Sequence, residues 1–197
     1  MFRTLITISV CCIAIAGCKE SGNETKPAAT SSSTTSEVTI PSSSFMSTRP
    51  ENVKDLVEIK KTAKTGDDVV FLARVGGKVK TFMDSQAIFI AADPGLVSCE
   101  LMGEEDHCTI PEDYCCEDSQ KMKAGLATIQ FVDQQGRPLK TSAMNAGGLE
   151  PLKFVVINGT VRDRNDDGLF IVDANSIWVG GKPNRSDMRA GSMSAGL

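Results

Sequence analysis

From residue 67 onward the chain carries short apolar runs in which large residues alternate with small or polar ones, the period-two signature of strands buried on one face. The first is Val69 to Gly77 (VVFLARVGG), which ends in a Gly-Gly turn. A second strand follows in two parts, with Lys78 to Met83 (KVKTFM) continuing past the turn and Ala87 to Ala92 (AIFIAA) apolar enough to be buried on both faces. A short helix is predicted over Ser119 to Gly125, then a third strand, Leu126 to Val132 (LATIQFV), and a turn at Asp133 to Arg137 (DQQGR). After a loop-like stretch at 138–152, Phe154 to Val161 (FVVINGTV) and Leu169 to Val179 (LFIVDANSIWV) form a hairpin across Arg162 to Gly168. Five strands with no strand-helix alternation predict an all-β fold, a small five-stranded antiparallel barrel over 67–179. Phe71, Phe89, Phe131, Phe154 and Phe170 are assigned to its core, and Trp178 is packed against it.

Upstream the pattern reverses. Residues 53 to 64 (VKDLVEIKKTAK) have apolar positions spaced for a short helix or arm, within a segment bounded at 51–66. Residues 18–50 are dominated by Ser, Thr, Pro, Ala, Asn and Gly, a composition that buries too little surface to offset its ordering entropy. That linker is expected to be disordered, with a reach of roughly 30 to 40 Å, and the Gly- and Ser-rich tail 180–197 is expected to be disordered as well. Residues 1–17 read as a signal peptide: a basic Met1-Phe2-Arg3, an apolar Leu5 to Ala16, and small residues before Cys18. The apolar run is shorter than the about 20 residues that span a bilayer.

The Ile15-Ala16-Gly17-Cys18 stretch resembles the lipobox of bacterial lipoproteins. That resemblance implies cleavage after Gly17, a diacylglyceryl thioether on Cys18 and an amide-linked acyl chain such as palmitate. Lys19 stands where aspartate is the usual inner-membrane retention signal, so the resemblance favours the outer membrane, facing the periplasm. The strand segments VFLARVGG, FIAADP, VVINGTV and LFIVDANSIWV, in that order, resemble the strand grammar of the OB-fold. The whole chain also resembles uncharacterised exported lipoproteins that carry an OB-like domain and a Cys-rich insertion, here 94–118, between strands two and three. The OB resemblance implies ligand binding across strands two and three and their flanking loops.

The chemistry gathers in Asp93 to Asp118 (DPGLVSCELMGEEDHCTIPEDYCCED), which holds Cys99, Cys108, Cys115, Cys116, the single His107 and the single Tyr114, with nine acidic residues and no Lys or Arg. Two readings compete. In an oxidising compartment four cysteines read as two disulfides. A bond between neighbours Cys115 and Cys116 closes a strained ring, so the favoured pairings join Cys99 and Cys108 each to one of the vicinal two, at about 2 to 3 kcal/mol per closed loop. Alternatively Cys99, His107, Cys108, Cys115 and Cys116 ligate zinc or copper. The spacing lacks C-x2-C knuckles, and adjacent cysteines are awkward ligands for one tetrahedral ion. No cofactor is expected under the first reading.

Net charge of −4 and the single Trp and single Tyr remove the cationic groove and aromatic platforms of nucleic-acid binders. No Ser-His-Asp set, C-x-x-C pair or phosphate loop is present, so no catalytic residue is assigned and the chain is read as no enzyme. Asp163, Asn165, Asp167 and Gly168 match the opening of a calcium loop, but Ala174 stands where its bidentate Glu belongs, and a polar hairpin turn is the better reading. The expectation is a lipid-anchored envelope protein whose disulfide-stapled OB-like module binds a small ligand or envelope protein. Its alternative is a metal-binding lipoprotein.

Overall fold

The structure, a computed structural model, describes residues 38–51, 53–102 and 108–182. The signal peptide, Cys18, the linker up to residue 37, His107 and the tail from residue 183 lie outside the described residues. In chain order the elements are β1 (Phe45–Met46), β2 (Lys54–Asp55), α1 (Leu56–Thr62), β3 (Asp68–Val75), β4 (Ile88–Ala92), α2 (Cys99–Met102), α3 (Ser119–Gly125), β5 (Leu126–Gln130), β6 (Phe154–Arg164) and β7 (Phe170–Val179). Among the described residues no helix is long and apolar enough to cross a membrane.

Five strands close into a ring. β3 pairs antiparallel with β4 and β6, β4 with β5, and β6 with β7, while a parallel β5–β7 seam completes the barrel. The expectation of a wholly antiparallel barrel is corrected at that seam. The chain between β5 and β6 is long enough to carry β6 across to β3, so the β6–β7 hairpin brings β7 back against β5 running the same way. β6 carries register shifts beside Gly159 and Val161. A Cβ on Gly159 would collide with the Asp173 carbonyl of β7, so only glycine lets the β6 and β7 backbones approach this closely there.

Alternation does the packing. The inward positions Phe71, Ala73, Val75, Phe89, Ala91, Ile129, Val155, Ile157, Val172 and Ile177 are all fully buried. Phe131 and Phe170 join them, as the apolar pattern predicts. Phe154 faces the opposite side, in a smaller cluster with Leu72, Val156 and the half-buried Trp178. A third cluster of Ala92, Leu96 and Tyr114, with Met122 and Leu126 against it, lies under the cysteine-bearing segment.

Three differences from the sequence pattern have physical causes. Lys78 to Met83 does not run into β4 but bends back upon it. Met83 donates to the Ile88 carbonyl at 3.0 Å, Ile90 donates to that of Thr81 at 2.9 Å, and Phe82 bridges Phe89. Residues 41–46, which composition assigns to the linker, form a single 3-10 turn and β1, paired in parallel with β7 at Phe45↔Ile177. Phe45 secures them: its ring lies 5.7 Å from that of Phe131 and rests on Gly147, where any Cβ would strike it. Helix α1 has no cap from its own Asp55, and the distant Asp93 carboxylate accepts from Val57 N–H at 2.7 Å instead. Helix α3 covers the span the sequence predicts, capped by Asp118 accepting from the amides of Gln120 and Lys121 at 2.9 and 3.1 Å.

Candidate functional site

The segment between β4 and β5 is anchored to the barrel by one buried cation. Arg74, in β3, is fully buried, which is unusual for a charge and costly unless its donors are used. Its Nε donates to Tyr114 Oη at 2.8 Å, its Nη2 to the Leu96 carbonyl at 3.0 Å, and its guanidinium lies 5.3 Å from the Tyr114 ring centre. One side chain thus grips both arms of the loop. Burial pushes the Tyr114 hydroxyl above its ordinary pKa, opposed by the charge and hydrogen bond of Arg74, so it remains a neutral phenol.

Gly76 and Gly77, read from sequence as a turn, also receive the loop. Gly77 N–H donates to the Glu112 carbonyl at 2.9 Å, and a Cβ on Gly76 would stand 3.0 Å from that same oxygen and 3.2 Å from the Tyr114 ring. The loop's arms are tied to each other by Cys99 N–H to the Asp113 carbonyl at 2.8 Å and Glu100 N–H to the Pro111 carbonyl at 3.2 Å. Glu117 accepts from the amides of Val97 at 3.1 Å and Asp118 at 3.0 Å, and the Val97 bond first of all holds its carboxyl below the usual range.

These ties bring four sulfurs together. Cys99 at the start of α2 is buried, Cys108 is half-buried, and Cys115 and Cys116 are exposed. The Sγ atoms of Cys99 and Cys115 are 3.4 Å apart, Cys108 and Cys115 3.2 Å, Cys108 and Cys116 3.8 Å, and Cys115 and Cys116 3.8 Å. All four lie within 4.8 Å of one another. None is at the about 2.05 Å of a disulfide, so the expected pair of disulfides is not the geometry of the described residues. A tetrahedral ion with about 2.3 Å metal–sulfur bonds needs sulfur–sulfur edges of about 3.8 Å; the Cys108–Cys116 and Cys115–Cys116 edges have that length, while Cys99–Cys115 and Cys108–Cys115 are shorter. Cys115 and Cys116 sit in a turn closed by Glu117 N–H donating to the Tyr114 carbonyl at 3.0 Å, and this turn leaves both of their sulfurs within the cluster. Hydrogen bonding splits the thiols. The bond with Cys108 comes first in holding the Cys115 thiol below its ordinary pKa despite the nearby Asp113, and the same bond pushes the Cys108 thiol up.

Among the described residues this is the only set of three or more Cys, His, Asp or Glu side chains placed to hold a metal ion. The calcium-like turn between β6 and β7 is a hairpin turn. Asn165 Oδ1 accepts from Leu169 N–H at 2.9 Å, Gly168 sits at φ 97°, and Asp166 and Asp167 face Arg164 and Lys123 at 3.6 and 3.5 Å. Beside the sulfurs a cavity of about 510 Å³ opens across β4, β5 and α3, walled by Ile90, Met122, Leu126 and Phe170, with Lys78 and Cys115 at its polar side.

Arg74 escapes the sequence reading, although an arginine inside the apolar run VVFLARV is a visible signal that the position has a buried partner. Comparison with known protein families, with curated proteins and with solved structures finds no match.

Proposed function

We propose that this chain is an exported, lipid-anchored protein of the cell envelope whose OB-like barrel carries a four-cysteine metal centre, with zinc as its ion. The observation that carries the reading is the convergence of Cys99, Cys108, Cys115 and Cys116 to within 4.8 Å of one another in a segment tied to the barrel by Arg74. Four thiolates suit zinc or copper(I), and a full set of protein ligands leaves no open position for substrate, as in structural zinc sites. The ion staples the loop and is not a catalyst. The module then binds a small ligand or an envelope protein at the cavity beside it, on the β4–β5 face where the OB resemblance puts ligands. The ring order β3-β4-β5-β7-β6 with its parallel β5–β7 seam supports the OB-like assignment.

A second reading has its own support. The neighbouring sulfurs Cys99–Cys115 at 3.4 Å and Cys108–Cys116 at 3.8 Å match one of the two pairings favoured from sequence, so the same cluster can close into two disulfides under oxidation. Native mass spectrometry of the processed chain lipidated at Cys18, in which four of the seven cysteines remain available, purified with and without reductant and alkylated, separates the two. One zinc per chain with four thiols alkylated after its removal supports the metal centre. A metal-free chain lighter by four hydrogens and resistant to alkylation overturns it. For the anchor, Cys18→Ala is expected to release the protein from membranes, and continued membrane association would count against lipidation.

A further inference from the structure

Adjoining the first cavity, with which it shares Lys123 and Gly168, a second cavity of about 310 Å³ lies between α1, α3 and the β6–β7 turn, and no cysteine lines it. Its lining includes Lys60, Lys61, Lys123 and Arg164 against one acid, Asp166, in a chain whose net charge is −4. That local excess of positive charge runs against the composition of the whole.

Lys60 is fixed in place by backbone carbonyls, and Arg164 and Lys123 face only exposed carboxylates. Lys60 Nζ donates to the backbone carbonyls of Lys123, Leu126 and Gly168 at 3.0, 2.6 and 3.1 Å, which anchors the ammonium between three segments without giving it a counter-charge. Its pKa falls to about 8, through burial first and then the charge of Arg164, as it does for a cation lacking an anion. Arg164 Nη1 is aimed by the Ala63 carbonyl at 2.9 Å, while its Nη2 stands 3.6 Å from an Asp166 carboxylate that is fully in solvent. Lys123 faces Asp167 at 3.5 Å, again with the carboxylate in water. Such exposed pairs contribute little and exchange readily for a better anion.

We infer that this cavity is a binding site for a phosphate group. The backbone-anchored Lys60 supplies the fixed field, Arg164 offers the planar fork that phosphate oxygens accept in parallel, and the exposed Lys61 completes the cage from α1. The volume is at the small end of ligand pockets, suited to a phosphate with a modest organic substituent, whether a soluble phosphorylated molecule or a lipid headgroup.

The test uses the full chain carrying Cys18→Ala, so that no acyl anchor brings it to a bilayer. Inorganic phosphate is titrated calorimetrically against chloride at matched ionic strength, and flotation is measured with phosphatidylcholine vesicles with and without phosphatidylglycerol. Phosphate binding near one per chain, weakened about tenfold or more by Lys61→Gln or Arg164→Gln, supports the site with a soluble ligand. Flotation only with phosphatidylglycerol, lost in the same variants, supports the site with a headgroup. Lys61→Gln removes an exposed side chain and is expected to leave the unfolding midpoint unchanged, which separates loss of binding from loss of fold. No binding in either arm, or binding that both variants leave intact, overturns the inference. Either result is independent of whether the cysteines hold zinc.

Discussion

The barrel and the cysteine-bearing loop are held together by opposite means. The barrel interior is an unbroken set of aliphatic and phenyl side chains, and the ring of strands leaves no seam unpaired. Burial of that kind is non-directional and indifferent to redox state or metal. The loop's apolar contribution is the small cluster of Ala92, Leu96 and Tyr114, and the rest of its order comes from one buried arginine, a few backbone bonds and four sulfurs. Of these contacts only the sulfurs change with redox state or metal. The barrel is therefore the scaffold, and under the proposed metal centre the loop is the part whose order depends on the state of its sulfurs.

The largest expected effect falls on the scaffold. Phe71→Ala opens a cavity at a fully buried position and should cost about 3 to 5 kcal/mol in denaturant unfolding. Loss of less than about 1 kcal/mol would show that the ring does not carry the stability assigned to it. Arg74→Met tests the joint between the regions. It leaves Tyr114 Oη and the Leu96 carbonyl without their cationic donor and should cost about 2 to 3 kcal/mol. Proteolysis should then begin between residues 93 and 118 while the barrel stays intact, and cleavage elsewhere first would mean that Arg74 serves the barrel instead.

Asp118→Ala removes the cap of α3, where the loop rejoins β5, and should cost about 1 kcal/mol in thermal unfolding. An unchanged midpoint would show that the helix is held by its packing alone. A pH dependence comes last, because Lys60 is only half-buried and solvent screens its shift. Lys60 has a folded pKa near 8 against its ordinary 10.5, so between those values the unfolded chain binds the extra proton and stability rises with pH. Below about 8 the contribution is flat. The stability of the native chain relative to Lys60→Met should therefore rise across that window, and a constant offset would place the ammonium in full solvent. Comparison with the variant matters because Tyr114, raised above its ordinary value by burial, acts in the other direction: the unfolded phenol ionises first, and stability falls as pH climbs past 10.

Much of the barrel was legible because alternation is a local signal. VVFLARV, LATIQ and the closing hairpin each declare an inward face within a few residues, and β3, β5, β6 and β7 fall close to the runs that predict them. The helix at Ser119–Gly125 was legible for a similar reason, with Asp118 placed to cap it. The fold-back of Lys78 to Met83, the capture of Phe45 on Gly147 and the capping of α1 by Asp93 were not. Each depends on a partner more than 30 residues away or on a bend that no period announces.

The candidate site divides the same way. Composition by itself drew attention to Cys99, Cys108, Cys115 and Cys116, and the compartment argument then paired them as disulfides. Spacing could not say whether the sulfurs meet two by two or four together, because C-x8-C-x6-C-C is compatible with both. The tertiary structure fixes the two arms of the loop on Arg74 and Gly77 and brings all four sulfurs within 4.8 Å of one another, an arrangement from which a four-sulfur centre or two disulfides can form. The cationic cavity lies wholly on that second side. Lys60 and Arg164 are 104 positions apart by their numbering, and only closure of the ring carries the β6–β7 turn to the end of α1. Local pattern determined which residues face inward, since that choice is made within a strand. Which charges and sulfurs share a site was decided by long-range packing, since that choice requires the whole barrel to close.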